Sequence, residues 1–495
     1  MASDSKPRRT LPDKIARKAV QIGFLALFLY PFVPIVYGKV TLKTTPTLSS
    51  WLLPWDPLLL AGHLVNRNWG FVVIGAPLLL LASALILGRF FCGWVCPLGT
   101  LLDVVRPLAF WQKRMRPAKS RRRWFSPWRN STARYYLLAG VLAAGVLSLQ
   151  LIGALDPLVI VQRTATAIAS DIFSLQGPAF RLYLSISLIC AAIVALELWQ
   201  PRFWCRHLCP LGALISLVSR WSLLNRRVSA ACNGCGECRR YCPMRAIAPN
   251  GHDTSYADCH FCLGCEGVCP TGAISFGFGA LAGKRWQLEG KQKGPAGEVR
   301  LKGRYVPQTA SPVTRRQFLG GAVAGLAGLA LSPLLQRLGR WPLLRPPGAL
   351  PEDEFLRTCI LCQECVRVCP SGALKPVPAE SGLGAAGTPQ LVPRQGGCSL
   401  TPSCPHLCAQ VCPVGAIRRI QPKDMRIGLA EVDHAHCLAW DQEVKCLVCV
   451  EACLTGAAQA YRGRITVNPN KCSGCGRCEA ACPVAGGAIH VRPLA

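Results

Sequence analysis

The sequence predicts a multi-domain chain: an α-helical bundle of the membrane-spanning kind, joined to small α+β domains built around clustered cysteines. Three observations predict it. Apolar stretches of helical length recur through the first 220 residues. Twenty-four of the 29 cysteines fall into six tightly spaced groups of four. Charge is uneven: residues 1–339 carry 40 Lys/Arg against 13 Asp/Glu, and residues 340–495 carry 16 against 12. Basic loops beside apolar helices are a topological signal. Nucleic acid is therefore not expected as a partner, despite a formal net charge of +31.

The first domain is expected over 1–220. A basic start (Lys6, Arg8, Arg9, Lys14, Arg17, Lys18) leads into a first apolar helix, about 19–37. Trp51, Trp55 and Trp69 follow and suit an interfacial belt. A second helix, about 71–91, runs into Arg89-Phe-Phe-Cys92-Gly-Trp-Val-Cys96-Pro97-Leu-Gly. Residues 106–134 hold ten Lys/Arg and no acid, which places them in the cytoplasm. Helices at about 135–153 and 182–199 come next, the last ending in Arg202-Phe-Trp-Cys205-Arg-His-Leu-Cys209-Pro210-Leu-Gly. The two halves form an internal repeat. With the N-terminus inside, both Cys-x3-Cys-Pro pairs fall at the cytoplasmic membrane face.

No His or Met lies within the four apolar segments and no Cys-x-x-Cys-His occurs, so haem is not expected. Cys92, Cys96, Cys205 and Cys209 are candidate redox thiols or ligands of a further metal such as copper. Arg89, Arg202 and Arg206 beside them are expected to lower their pKa. His207 is a candidate ligand or proton carrier. Cys190, alone in an apolar helix, reads as a buried inert thiol.

A soluble domain is expected over 228–280. It reads Cys232-x2-Cys235-x2-Cys238-x3-Cys242-Pro and then Cys259-x2-Cys262-x2-Cys265-x3-Cys269-Pro. This is the bacterial ferredoxin spacing for [4Fe–4S] clusters. The tight loop lets three thiolates meet three irons of one cube, and the fourth cysteine ligates the neighbouring cluster. One cluster is thus expected on Cys232, Cys235, Cys238 and Cys269, the other on Cys259, Cys262, Cys265 and Cys242. Structural zinc sites space their ligands as two separated pairs instead. Asn250-Gly251 suits a hairpin turn between the motifs.

Residues 281–312 form a linker. Residues 313–336 hold Arg315-Arg316-Gln-Phe-Leu and then an apolar, Gly- and Ala-rich run, which resembles a twin-arginine export signal retained as an anchor helix. The last domain, 340–495, carries four groups: Cys359, Cys362, Cys365, Cys369; Cys398, Cys404, Cys408, Cys412; Cys437, Cys446, Cys449, Cys453; and Cys472, Cys475, Cys478, Cys482. The middle two have lengthened first intervals. Six [4Fe–4S] clusters are expected in bacterial-ferredoxin-like α+β domains.

These motifs carry a resemblance. Residues 1–280, with their helices and two Cys-x3-Cys-Pro-Leu-Gly motifs, resemble the NapH-type membrane ferredoxins. Residues 311–495, with the twin arginine, Arg-Pro-Pro-Gly-Ala-Leu-Pro-Glu at 345–352 and four cysteine groups, resemble the NapG-type periplasmic ferredoxins, which are similar to the methylamine-utilisation type. The resemblance implies a fusion in the bacterial inner membrane, with the first ferredoxin domain cytoplasmic and the C-terminal one periplasmic. It implies electron transfer from the quinol pool to a periplasmic redox partner, with membrane lipid and quinone as further partners. By analogy with four-cluster subunits, the first C-terminal group would share clusters with the fourth, and the second with the third. The Cys-x3-Cys-Pro half is also similar to copper-reducing and oxidase-assembly proteins, which makes metal reduction or enzyme maturation the alternative.

Overall fold

The structure, a computed structural model, describes residues 11–30, 53–65, 74–114, 133–146, 151–173, 179–248, 250–279, 343–378, 384–399 and 404–494. The twin arginine and its apolar run lie outside the described residues, as does the linker.

The first half is helical: α1 (Leu11–Leu29), α2 (Pro57–Val65), α3 (Gly75–Leu87), α4 (Phe90–Trp94), α5 (Pro97–Arg114), α6 (Ala133–Val146), α7 (Leu151–Leu155), α8 (Pro157–Phe173), α9 (Ala179–Trp199) and α10 (Pro210–Ser219). Helices α2, α5, α8 and α10 each open on proline, whose fixed φ suits the first helical position and whose missing N–H is not needed there.

The expected membrane bundle is not found. Among the described residues no helix is long and apolar enough to cross a membrane. The apolar stretch expected at 71–91 yields a helix of only 13 residues, because Gly88 turns the chain at φ +66°. Helix α6 has 14 residues. At about 1.5 Å per residue each reaches roughly 20 Å, against a hydrocarbon layer of about 30 Å. Helix α1 spends its first turns on Asp13, Lys14, Arg17 and Lys18. Helix α9 is longer, but its side chains are described only over 188–198, and that stretch includes buried Glu197. The placement in the inner membrane, with one domain on each side, falls with the bundle.

The chain divides into two units interleaved in sequence: Met1–Leu25, Gly75–Gly140 and Ile193–Leu326 in one; Ala26–Ile74, Val141–Ala192 and Ala327–Ala495 in the other. The N-terminal helices are therefore shared out between the two ferredoxin-type modules.

In the first unit, strands β1 (Leu224–Val228) and β2 (Ile274–Phe278) pair antiparallel, Leu224 opposite Phe278. Between them lie α11 (Glu237–Tyr241) and α12 (Gly264–Gly267). Ile247, Ile274 and Phe276 pack with the cysteines as a small core. The chain reverses at Asn250-Gly251, where Asn250 Oδ1 accepts from the amides of His252 and Asp253 and Gly251 takes φ +77°. The module is pressed against the helices of its own unit. A β-carbon on Gly93 would lie 2.2 Å from the carbonyl oxygen of His260, and Trp94 Nε1 donates to Phe261 O at 3.0 Å.

In the second unit, α13 (Glu352–Thr358) and α14 (Glu364–Val368) precede the hairpin of β3 (Leu374–Pro376) and β4 (Pro389–Leu391), followed by α15 (Leu407–Gln410). Then come β5 (Gly428–Val432), α16 (Leu438–Asp441), α17 (Val448–Glu451), the hairpin of β6 (Ala458–Tyr461) and β7 (Arg464–Val467), α18 (Arg477–Ala481) and β8 (Ile489–Pro493). Strands β5 and β8 pair antiparallel and close this second half of the module on itself. Arg345 pins the start. It forks onto Glu352 at 2.7 and 2.5 Å, donates to Pro389 O at 2.8 Å and stacks over Phe355.

Candidate metal centres

The four regular loops share one backbone. In Cys232–Cys238 the residues flanking the middle cysteine, Gly234 and Gly236, have φ of +71° and +73°. Phe261 and Leu263 do the same in Cys259–Cys265, Leu361 and Gln363 in Cys359–Cys365, and Gly474 and Gly476 in Cys472–Cys478. Alternating right- and left-handed residues curl successive N–H groups inward, a concavity suited to an anionic group. Two loops supply glycine there. The other two hold bulkier side chains in the left-handed region, a strain of about 1–3 kcal/mol per residue.

Cys242, Cys369 and Cys482, each the last of its group, have β-region backbone, and the last cysteines collect donors. Cys242 Sγ accepts from Ala246 N at 3.4 Å, Cys269 Sγ from Ala273 N at 3.3 Å, Cys453 Sγ from Ala458 N and Cys482 Sγ from Ala488 N, both at 3.4 Å. Such bonds stabilise a thiolate and tune a cluster's potential.

Which cysteines meet is visible in their neighbours. Cys242 acts electrostatically on Cys259 and Cys265, and Cys269 packs in the core with Cys238. In the second unit Cys412 is the electrostatic neighbour of Cys359, Cys362 and Cys365. Cys369, Cys398, Cys404 and Cys408 line one cavity. Cys437, Cys446, Cys449 and Cys482 line another. The first group thus exchanges its last cysteine with the second, and the fourth lends Cys482 to the third. This corrects the order drawn by analogy, first with fourth and second with third. Packing of α14 on α15 and of α17 on α18 joins groups adjacent in sequence.

These sites suit a polynuclear cluster. Among the described residues no three His, Cys, Asp or Glu side chains are gathered closely enough to hold a single metal ion. A cubane binds each thiolate to a different iron and asks for a wider ring than four thiolates on one zinc at about 2.3 Å. Burial, then neighbouring sulfurs, push Cys359 and Cys478 up to about 12. These two buried thiols therefore need a cationic core to ionise at neutral pH, whereas burial at Cys269 and Cys453 is outweighed by hydrogen bonds, which lower their pKa.

The Cys-x3-Cys-Pro pairs form a separate set in the first unit. Cys96 and Cys209 are buried; Cys92 and Cys205 are half-buried. Cys92, Cys96 and Cys205 all act on Cys209. Two buried arginines cross between the repeats. A β-carbon on Gly99 would lie 3.1 Å from Arg202 Nη1, and one on Gly212 would lie 2.7 Å from Arg89 Nη2. Each repeat's arginine therefore fills the space kept open by the other repeat's Cys-Pro-Leu-Gly. Arg202 also pairs with Asp103 at 2.6 Å and reaches Cys205 Sγ at 3.9 Å.

The expected lowering of thiol pKa is not found. Burial raises Cys96, Cys205 and Cys209, and outweighs Arg202 at Cys96 and Cys205 and Arg89 at Cys205. Arg206 faces Arg245, Asp258 and Cys242 instead. His207 is fully buried, its ring tilted at 47° against Phe203 with centroids 5.0 Å apart. Burial, then Arg206 and Arg134, hold its pKa down to about 4. Cys190 is buried beside Thr164 and Arg163. The two prolines start helices α5 and α10, with Cys209 Sγ accepting from Gly212 N at 3.2 Å as a cap.

Cysteine loops of this kind, repeated along one chain, define an iron–sulfur electron-transfer protein with several [4Fe–4S] clusters. Family models agree. A 4Fe-4S dicluster domain matches residues 358–416, and 4Fe-4S binding domains match 465–485, 232–246, and 68–116 with 182–229. The methylamine utilization ferredoxin-type protein MauM of Methylorubrum extorquens is 38% identical over 204 residues, 37% of this chain and 90% of its own. The ferredoxin-type protein NapG of Escherichia coli is 37% identical over 202 residues, 36% of this chain and 86% of its own. The chain belongs to this NapG/MauM family of ferredoxin-type proteins. The putative electron transport protein YccM of Escherichia coli is 29% identical over 277 residues, 51% of this chain and 72% of its own. No solved structure matches.

Proposed function

We propose that the chain carries electrons through six [4Fe–4S] clusters, from a quinol-class donor to a partner oxidoreductase of a nitrate-reducing or amine-utilising system. The ligand sets are three cysteines of one group and the last cysteine of its partner group. They are Cys232, Cys235, Cys238 with Cys269; Cys259, Cys262, Cys265 with Cys242; Cys359, Cys362, Cys365 with Cys412; Cys398, Cys404, Cys408 with Cys369; Cys437, Cys446, Cys449 with Cys482; and Cys472, Cys475, Cys478 with Cys453. The clusters supply one-electron steps, and the protein holds them and sets their potentials.

The observation that carries this reading is the exchange of final cysteines between neighbouring groups, the arrangement of two-cluster ferredoxins. The nitrate and amine contexts rest on the likeness to NapG and MauM. The cysteine motifs at 89–99 and 202–212 support a NapH-type first module. Anaerobic titration with a quinol analogue tests the donor. Bleaching of the cluster absorbance is expected; clusters reducible by dithionite yet inert to quinol would remove it.

A further inference from the structure

Helices α2 and α8 of the second unit begin alike: Asp56-Pro57-Leu58 and Asp156-Pro157-Leu158. Asp56 Oδ1 accepts from Leu58 N at 2.7 Å. Asp156 Oδ1 accepts from Leu158 N at 2.7 Å and Val159 N at 3.2 Å. These are helix caps. The second oxygens are not used in capping. Oδ2 of each is buried and has no other hydrogen-bond partner, and the residues are 1% and 0% exposed. The two carboxyls are close enough to act on one another.

Helix α2 packs on α7 just before Asp156, where a β-carbon on Gly62 would lie 2.6 Å from Ile152 Cδ1, and a proton shared between the two carboxyls would satisfy both unpartnered oxygens. Burial, then Asp156, raises the pKa of Asp56, and burial raises that of Asp156. Among the described residues, the charged and titratable groups on the packed elements are His63 on α2, Arg163 on α8 and, on α14, Arg367 paired with Glu364.

The pair also lies beside a cluster loop. Gly153 stands one helical turn before Asp156, roughly 5 Å along the axis. A β-carbon on Gly153 would lie 2.1 Å from Ile360 O, between Cys359 and Cys362. From α8, Gln162 donates to Glu364, the residue before Cys365.

We infer that Asp56 and Asp156 form a proton-loading site that takes up a proton when the cluster held by Cys359, Cys362, Cys365 and Cys412 is reduced. This rests on the proposed ligand set. One electron from the reductant enters the cluster, and one proton from water joins the carboxylate of the half-protonated pair. Both charges change inside a low-dielectric interior, where they are felt strongly.

The test has two arms. Infrared difference spectra of the whole chain across pH should show a protonated carboxyl at pH 7 that Asp156→Asn removes. This arm does not need the clusters. Asparagine still caps a helix, so the variant keeps the fold. Redox titration followed by electron paramagnetic resonance should show one midpoint falling with pH, with a slope approaching about 59 mV per unit, the equivalent of tenfold for one electron. Asp56→Asn with Asp156→Asn should flatten that slope and leave the other midpoints in place. Two ionised carboxylates at pH 7, or a slope that survives the double substitution, would overturn the inference. If clusters failed to assemble, the ligand sets would be wrong, and the infrared arm would still decide the shared proton.

Discussion

Gly153→Ala probes the seam between α7 and the first cluster loop of the C-terminal module. The added β-carbon would stand 2.1 Å from Ile360 O, 2.6 Å from its carbonyl carbon and 2.9 Å from its Cα. All three are backbone atoms, so no side chain can swing aside. Carbon contacts become comfortable near 3.5 Å, so the helix or the loop must move by about 1 Å. Overpacking of this kind costs about 1–3 kcal/mol. Alanine returns up to about 1 kcal/mol of helix propensity, which leaves a net loss of about 1–2 kcal/mol. Gly140 is the control, since nothing lies within 4 Å of its β-carbon position. Gly140→Ala should stabilise by up to about 1 kcal/mol. Anaerobic guanidinium unfolding, followed by loss of cluster absorbance, reads both. A Gly153→Ala protein as stable as the Gly140→Ala protein, with an unaltered signal from the Cys359–Cys365 cluster, would refute the packing.

Arg202→Gln should lower stability by about 3 kcal/mol, because a guanidinium 1% exposed leaves Asp103 and the Cys205 sulfur; a shift in the denaturant midpoint worth under about 1 kcal/mol would contradict the cross-brace. Arg202→Lys should recover only part, since one ammonium cannot reproduce the fork. Burial pushes the Asp103 carboxyl up, but Arg202 and Arg17, with a hydrogen bond from Gln21, hold it well below the usual carboxylate range. The folded pKa is depressed, so this stability is present above the unfolded value of about 3.9 and is lost as pH falls below it. Asp103→Asn should therefore flatten the acid limb of the stability curve below about pH 4. Cys482→Ser should remove the signal of the cluster on Cys437, Cys446 and Cys449 while that on Cys472, Cys475 and Cys478 persists; the reverse result would restore conventional ownership of the fourth ligand.

The cysteine loops were legible because their chemistry is local. Three thiolates within seven residues need no distant partner to be recognised, and Asn250-Gly251 announced its own turn. The alternating left-handed residues could also have been read from Gly234, Gly236, Gly474 and Gly476, though Phe261, Leu263, Leu361 and Gln363 disguise the pattern elsewhere. Hydropathy misled where it averaged across Gly88, whose turn cuts one apolar stretch into α3 and α4. Proximity of arginine to cysteine in sequence suggested thiolates, but burial dominates at Cys96 and Cys209. The crossing of Arg89 and Arg202 to opposite glycines and the seams at Gly93 and Gly153 join residues about a hundred or more apart. A single sequence carries no local sign of such contacts beyond the repeat itself.

The most direct test of the account is metal and sulfide content in protein isolated without oxygen, with Mössbauer spectra of the same sample. Six cubanes predict about 24 irons and about 24 acid-labile sulfides per chain, all with the isomer shifts of [4Fe–4S] centres. Zinc in place of iron, or iron without matching sulfide, would contradict it.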